Sequence, residues 1–253
     1  EPLKELENQL NQIKMSVLLS KQAAKQAEDK KNEIIMYLAH DIRTPLTTVI
    51  GYLSLLHEAP DMPENQKEKY IKVALDKADR LEKLINELFE VTKYNAHTVV
   101  LKRETVDLHC LIAQVIDEIY PTLSANGNTV VFKADDDLSV TGDPEKLARV
   151  FSNLLRNAAA YSYSKTEISI SAKKSDRNIQ IIFENHGKTI PPEQLDSIFE
   201  KFSRLDEARL SDTGGAGLGL SIAEEIIHLH GGTITASSKN ETISFMIMLP
   251  ISA

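Results

Sequence analysis

From residue 1 to about residue 97 the chain contains one glycine, Gly51, and this scarcity limits the first third of the molecule to long helices. Leu3, Leu6, Leu10, Ile13 and Val17, then Ala24 and Ala27, recur at threes, fours and sevens among Glu, Lys and Gln. That is a coiled-coil seam. The apolar pattern continues through Ile34, Ile35, Leu38 and Ile42, then Leu46, Val49, Ile50, Leu53 and Leu56. Pro60-Asp61-Met62-Pro63 breaks it. A second helix is expected from Tyr70, Val73, Ala74, Lys77, Leu81, Leu84, Ile85, Leu88 and Val91. Two long amphipathic helices joined by a short loop form an antiparallel hairpin, and one hairpin alone cannot bury its stripe. Two of them, in a dimeric four-helix bundle, can.

From about residue 98 the texture changes to alternating strands and helices. Strands are expected at 99–102, 130–133, 167–172, 179–183, 233–236 and 244–249. Helices are expected at 108–123, 144–161, 192–199 and 218–230. Asp143 suits an N-cap with Pro144 at the first helical position, and Gly231-Gly232 ends the last helix. The hairpins at 167–183 and 233–249 read as antiparallel, so this half is an α+β two-layer sandwich with helices on one sheet face. Cys110 lies in an apolar helical pattern with Leu108, Leu111, Ile112 and Val115 and reads as core.

A net charge of −8, with no basic stretch, argues against nucleic-acid binding. A single cysteine excludes an internal disulfide. The sequence holds no run of 18 apolar residues and no signal peptide, and it begins at Glu1 rather than Met. A fragment with membrane segments upstream would read this way.

Within the first long helix stands His40-Asp41-Ile42-Arg43-Thr44-Pro45-Leu46. Residues i and i+4 share a helix face, so Thr44 lies one turn from His40. Asp41 offers a carboxylate able to hold one ring nitrogen while the other attacks. Pro45 cannot donate to the carbonyl of Asp41, so a bend is expected there. A structural stalk accounts for residues 1 to 31. It does not account for these three side chains gathered beside a proline.

The second half carries matching chemistry. Asn153 and Asn157 stack on one face of an otherwise apolar helix, where asparagine is a poor former. Each could serve a buried structural hydrogen bond, or offer an amide oxygen to Mg²⁺ while triphosphate oxygens fill the other positions. Asp212-Thr213-Gly214-Gly215-Ala216-Gly217-Leu218-Gly219-Leu220 leads into a helix, whose free N–H groups and positive end suit a phosphate. It is neither the dinucleotide fingerprint nor a P-loop. Asn185-His186-Gly187-Lys188-Thr189-Ile190-Pro191 turns out of a strand through Gly187. Phe199-Glu200-Lys201-Phe202-Ser203-Arg204 puts two aromatics and two cations just before the glycines, as a lid would.

In this order the elements resemble the sensor histidine kinases of two-component systems over the whole chain. The phospho-acceptor motif (His40 to Leu46), the asparagine box (Asn153, Asn157), the Phe-rich box (Phe199 to Phe202) and the glycine box (Gly215 to Gly219) stand at family spacing. Within the family, 37–45, 58–63 and 211–217 are most similar in wording to the vancomycin-resistance sensors of the VanS type.

The resemblance implies a signalling helix at 1–31, a dimerisation and histidine phosphotransfer domain at 32–97, and a Bergerat-type ATP-binding domain at 98–253. It implies His40 as phosphoryl acceptor, Asp41 as its partner and Thr44 as the residue orienting water in the reverse reaction. ATP and Mg²⁺ would be held by Asn153, Asn157 (the metal ligand), Tyr161, Asn185 (reading adenine), Gly187, Lys201, Arg204, Gly215, Gly217, Leu218 and Gly219. Partners implied are a second copy through the hairpins and the receiver domain of a response regulator, with the chain as the cytoplasmic portion of a bacterial membrane sensor. Three positions depart from the family. Ala160 stands where a Lys is common, Asn185 where an Asp accepts the adenine amino group, and Thr189 where that box has its second glycine. Those departures keep open a degenerate kinase acting as phosphatase or dimeric scaffold; a related ATPase of the same nucleotide fold would lack the histidine hairpin.

Overall fold

The computed structural model describes residues 2–95, 101–135, 137–195, 197–201 and 217–251. They form two compact units, Glu1–Lys83 and Leu84–Ala253. The first is helical. Helix α1 (Pro2–Glu58) runs unbroken from the seam through Pro45, and α2 (Glu64–Asn95) follows. The turn between them closes through Met62 N–H on Ala59 O (3.1 Å), and Gln66 N–H on Pro63 O (2.9 Å) starts α2. Tyr52 and Tyr70 lie edge to face with ring centroids 5.0 Å apart, tying α1 to α2 near the turn. Pro45 is buried, yet Leu46, Ile50, Leu53, Ile71 and Leu75 remain exposed. The apolar stripe of a single hairpin is left uncovered, as its sequence pattern requires.

In the second unit a five-stranded sheet runs in the order β2-β4-β5-β7-β6. Its strands are β2 (Thr129–Ala134), β4 (Glu167–Ser175), β5 (Asn178–His186), β6 (Thr233–Lys239) and β7 (Thr242–Pro250). The β4–β5 and β6–β7 hairpins are antiparallel, as is β5 with β7, whereas β2 pairs β4 in parallel. A parallel pair needs a long crossover, which β3 (Ser139–Gly142) and α4 (Pro144–Tyr161) supply.

One sheet face is apolar. Along β5 the buried residues alternate as Ile179, Ile181, Phe183 and Asn185, and along β7 as Ile243, Phe245, Ile247 and Leu249. Against them pack α3 (Leu108–Ala125), through Ile112, Val115 and Ile119, and α4, through Leu147, Phe151 and Leu154. Helix α6 (Gly219–Leu229) adds Ile222, Ile226 and Ile227. Phe151 stacks on Phe183 at 5.9 Å, joining helix layer to sheet.

Three expectations are corrected. No strand forms at 101–102, and residues 99 and 100 lie outside the described range. The strand is β1 (Glu104–Asp107), placed by pairing with β3, a strand the sequence pattern did not reveal. The pairing buries Val106 opposite Val140, and Leu108 N–H closes it on Leu138 O. The helix expected at 192–199 is α5 (Pro192–Leu195), then a 3-10 turn at Ser197–Phe199. Cys110 is exposed, not core. Helix α3 buries Leu108, Ile112, Val115, Ile119 and Leu123, and residue 110 falls on the opposite face of that 3.6-residue stripe. Among the described residues no helix is long and apolar enough to cross a membrane.

Candidate functional site

In the first unit, His40 and Thr44 are exposed and Asp41 is half-buried on α1. The Thr44 hydroxyl donates to the carbonyl oxygen of His40 at 3.1 Å, and Thr48 repeats the bond to Thr44 at 3.0 Å. These one-turn back-bonds occupy carbonyls beside Pro45, whose missing N–H leaves the Asp41 carbonyl without its helical donor. The imidazole of His40 thus stands on the outside of a continuous helix, open to a partner.

In the second unit the site begins with the start of α4. Asp143 caps it, its Oδ1 accepting from Lys146 N–H at 3.2 Å and its Oδ2 from Lys102 N–H at 3.1 Å. The Asp143 N–H in turn donates to Nε2 of His230 at 2.9 Å, and Nδ1 of that ring lies 2.8 Å from Ile226 O. One nitrogen must accept and the other donate, so His230 is neutral with its proton on Nδ1. Burial holds the imidazole below its ordinary 6.5, more than the Ile226 carbonyl and the Asp143 carboxylate raise it; Arg103 lowers it further. His230 is the positioning residue that sequence reasoning missed. Its signal was its place directly before Gly231-Gly232.

Farther along α4, Asn153 and Asn157 are half-buried on one face. Asn153 donates from its amide nitrogen to Gly219 O at 2.9 Å, which fixes α4 to the first residue of α6. Gly217, at φ +73°, adopts the left-handed backbone that turns the chain into that helix. Leu218 is fully buried beneath the turn, and Ser221 Oγ donates to its carbonyl at 2.9 Å. The first N–H groups of α6 are thereby held beside Asn153.

Tyr161 ends α4, half-buried, against the turn after β5. Ser162 bridges to Gly187, and a Cβ on Gly187 would lie 2.3 Å from Tyr161 O. Only glycine allows that approach, so Gly187 serves backbone packing here. Two residues earlier, Asn185 is 2% exposed on the helix-covered sheet face. Its amide nitrogen has no hydrogen-bond partner among the described residues. Leaving a buried donor unmade costs about 1–3 kcal/mol, so this position suits an external acceptor. Lys201 is half-buried and engaged with another residue. Arg204 and Gly215 lie outside the described residues.

These features test whether the residues fit a magnesium nucleotide. No group of three His, Cys, Asp or Glu side chains among the described residues could hold a metal unaided. A divalent cation here would draw on the neutral amide oxygens of Asn153 and Asn157 together with the ligand's own phosphates. The orphaned amide of Asn185 and the glycine-led start of α6 fit the two ends of a nucleotide.

A one-sided α/β sandwich with paired asparagines facing a glycine-led helix, preceded by a histidine-bearing helical hairpin, defines an ATPase-type domain joined to a phospho-acceptor domain. Residues 142–253 match the family of histidine kinase-, DNA gyrase B- and HSP90-like ATPases, and residues 30–97 match the His Kinase A (phospho-acceptor) domain. The chain is 55% identical to the sensor protein VanS of Enterococcus faecium over 245 residues, covering 97% of this chain and 64% of that one. It is 45% identical to the sensor protein VanSC of Enterococcus gallinarum, covering 97% and 68%. The chain belongs to the sensor histidine kinases, in their VanS type. It spans about two thirds of the length of those two relatives. The crystal structure of histidine kinase ThkA in complex with the response regulator TrrA is similar at 26% identity and a TM-score of 0.68, covering 87% of this chain and 61% of that one.

Proposed function

We propose that this chain is the cytoplasmic kinase core of a membrane sensor, which phosphorylates itself on His40 from Mg-ATP and passes the phosphoryl group to an aspartate of a response regulator. The observation that carries the reading is the clasp between Asn153 and Gly219, in a chain that also presents His40 on an exposed helix face. Phosphoryl transfer is mostly positioning and electrostatics, and the clasp sets amide oxygens beside helix N–H groups, as a triphosphate would need.

In this reading Asn157 ligates Mg²⁺, with Asn153 beside it, and Asn185 meets the adenine. The N–H groups of Gly217, Leu218 and Gly219, with Gly215, Lys201 and Arg204, hold phosphates; Tyr161 lies at the edge of the site. Bound Mg²⁺ would offset negative charge on the transferring group. Neutral His40 attacks the γ-phosphorus through one ring nitrogen while Asp41 accepts a hydrogen bond from the other. The bond from that phosphorus to the ADP oxygen breaks, and ADP leaves.

The domain limits follow the same reading: signalling helix at 1–31, phosphotransfer hairpin at 32–97, ATP-binding domain at 98–253. The exposed stripe of Leu46, Ile50, Leu53, Ile71 and Leu75 supports pairing with a second copy. The ThkA–TrrA complex supports a response-regulator partner. Likeness to VanS and VanSC supports a place in glycopeptide-resistance control, with membrane segments upstream of residue 1.

The test is incorporation of γ-labelled phosphate from Mg-ATP into the chain and its His40→Gln variant. Label on the wild type alone, lost in acid and stable in base, is expected. Label surviving in the variant would mean another acceptor. Labelling of neither, with nucleotide still bound, would favour a phosphatase or scaffold, the alternative that Ala160 and Asn185 raise.

A further inference from the structure

We infer that the base pocket of this chain is ambivalent at purine position 6, taking 6-oxo and 6-amino purine nucleotides with similar affinity, because the side chain at its floor is an amide. The inference rests on the reading of Asn185 as the base contact. Asn185 closes the buried stripe Ile179, Ile181, Phe183 on β5 and is itself 2% exposed. Its cross-strand neighbours are Ile168 on β4 and Ile243 on β7, neither of which has a polar side-chain atom. Its Nδ2 has no partner among the described residues. A buried donor in apolar surroundings calls for an acceptor, and neither of these neighbouring side chains provides one.

The two ends of a primary amide differ in kind: one oxygen accepts, one nitrogen donates twice. Adenine presents a donor at its 6-amino group and an acceptor at N1. Hypoxanthine presents the reverse, an acceptor at O6 and a donor at N1. An amide matches either edge, and a half-turn about its last torsion exchanges one pattern for the other. A carboxylate cannot do this. It only accepts, so the oxygen that takes the 6-amino group meets O6 oxygen against oxygen, and it regains a bond only by shifting to N1–H. Discrimination of this kind arises when a buried polar group is left without its partner. With Asn185, neither purine leaves one.

The experiment is calorimetric titration of the full chain, in Mg²⁺, with ADP and with inosine diphosphate, which differ only at positions 6 and 1 and undergo no transfer. For the wild type we expect dissociation constants within about fivefold of each other, and for Asn185→Asp a preference for ADP of about tenfold or more. A wild-type preference for ADP above about tenfold, with binding altered in the variant, would overturn the ambivalence while leaving Asn185 in contact with the base. Unchanged constants for both ligands in the variant would instead remove Asn185 from the base site. The wild-type ratio requires no substitution, so the inference stays falsifiable if Asn185→Asp fails to fold.

Discussion

The amide nitrogen of Asn153 lies 2.9 Å from the carbonyl oxygen of Gly219, a single bond joining the asparagine-bearing helix to the helix the glycines introduce. Asn157, one turn on, makes no side-chain hydrogen bond among the described residues. Of the two asparagines on this face, Asn153 is the one that carries the bond between the helices.

Removing Asn153 should cost both stability and ligand. Asn153→Ala deletes a hydrogen bond worth about 1 kcal/mol and frees the start of α6, so a lower melting temperature and weaker nucleotide binding are expected together. Asn157→Ala should leave the melting temperature of the free chain unchanged and remove only the gain in affinity that Mg²⁺ gives. Thermal melts and ADP titrations with and without Mg²⁺ check this. Equal destabilisation by both substitutions would contradict the division of roles.

A methyl group on Gly187 meets the Tyr161 carbonyl oxygen at 2.3 Å, and the Ile243 side chain at 3.4 Å. The first neighbour is backbone at the end of α4 and cannot move without shifting that helix. Gly187→Ala is expected to cost about 3 kcal/mol, lowering the melting temperature of the second unit by about 10 °C. A loss of nucleotide affinity with no loss of stability would instead make Gly187 a ligand contact.

The contrast between Gly187 and Asn185 marks how far the sequence could be read. Helix α4 was legible to the residue, because Asp143, Pro144 and the 3.6-residue stripe are local signals. Strands β4, β5, β6 and β7 were legible from alternation, each extending a little past its apolar run. What escaped was held by distant partners. The four residues of β3 form a strand because β1 lies beside them, and their own apolar content is too small to announce it. His230 acts on Asp143 across 87 positions of sequence, and no local pattern encodes that distance. At Gly187, expected in the nucleotide site, a close backbone approach to Tyr161 demands the same residue that a ligand approach would, so sequence alone could not separate the two.

His230 makes the stability of the second unit depend on pH. Its folded-state pKa lies below the ordinary 6.5, chiefly through burial, so as pH falls the unfolded chain takes up the proton first. The contribution is full above about 6.5 and is lost as pH falls through 6.5 towards the folded value, at up to about 1.4 kcal/mol per pH unit. His230→Leu should start lower by about 1–3 kcal/mol, since the Asp143 N–H loses its acceptor. Its profile should also be flatter in this window. Urea midpoints of both proteins between pH 5 and 8 measure this, and parallel profiles would exclude His230 as the titrating group.

Substitution of Thr44 tests whether the two directions of phosphate chemistry separate. Its hydroxyl proton is committed to the His40 carbonyl at 3.1 Å, leaving the oxygen's lone pairs free to accept from a water on the exposed face of α1. Autophosphorylation needs the imidazole, Asp41 and the nucleotide, none of which that water serves. Dephosphorylation of a receiver aspartate needs a water held in line with phosphorus. Thr44→Ala should therefore leave labelling of His40 near wild type and slow regulator dephosphorylation by about 10- to 100-fold, the scale of a lost positioning contact. Thr44→Ser, which keeps the hydroxyl, should restore it. The helix should gain slightly in either measurement of stability, because alanine is the better helix former and a back-bonded threonine is not. Parallel loss of labelling and dephosphorylation in Thr44→Ala would show that the hydroxyl shapes the helix around His40 rather than the water beside it.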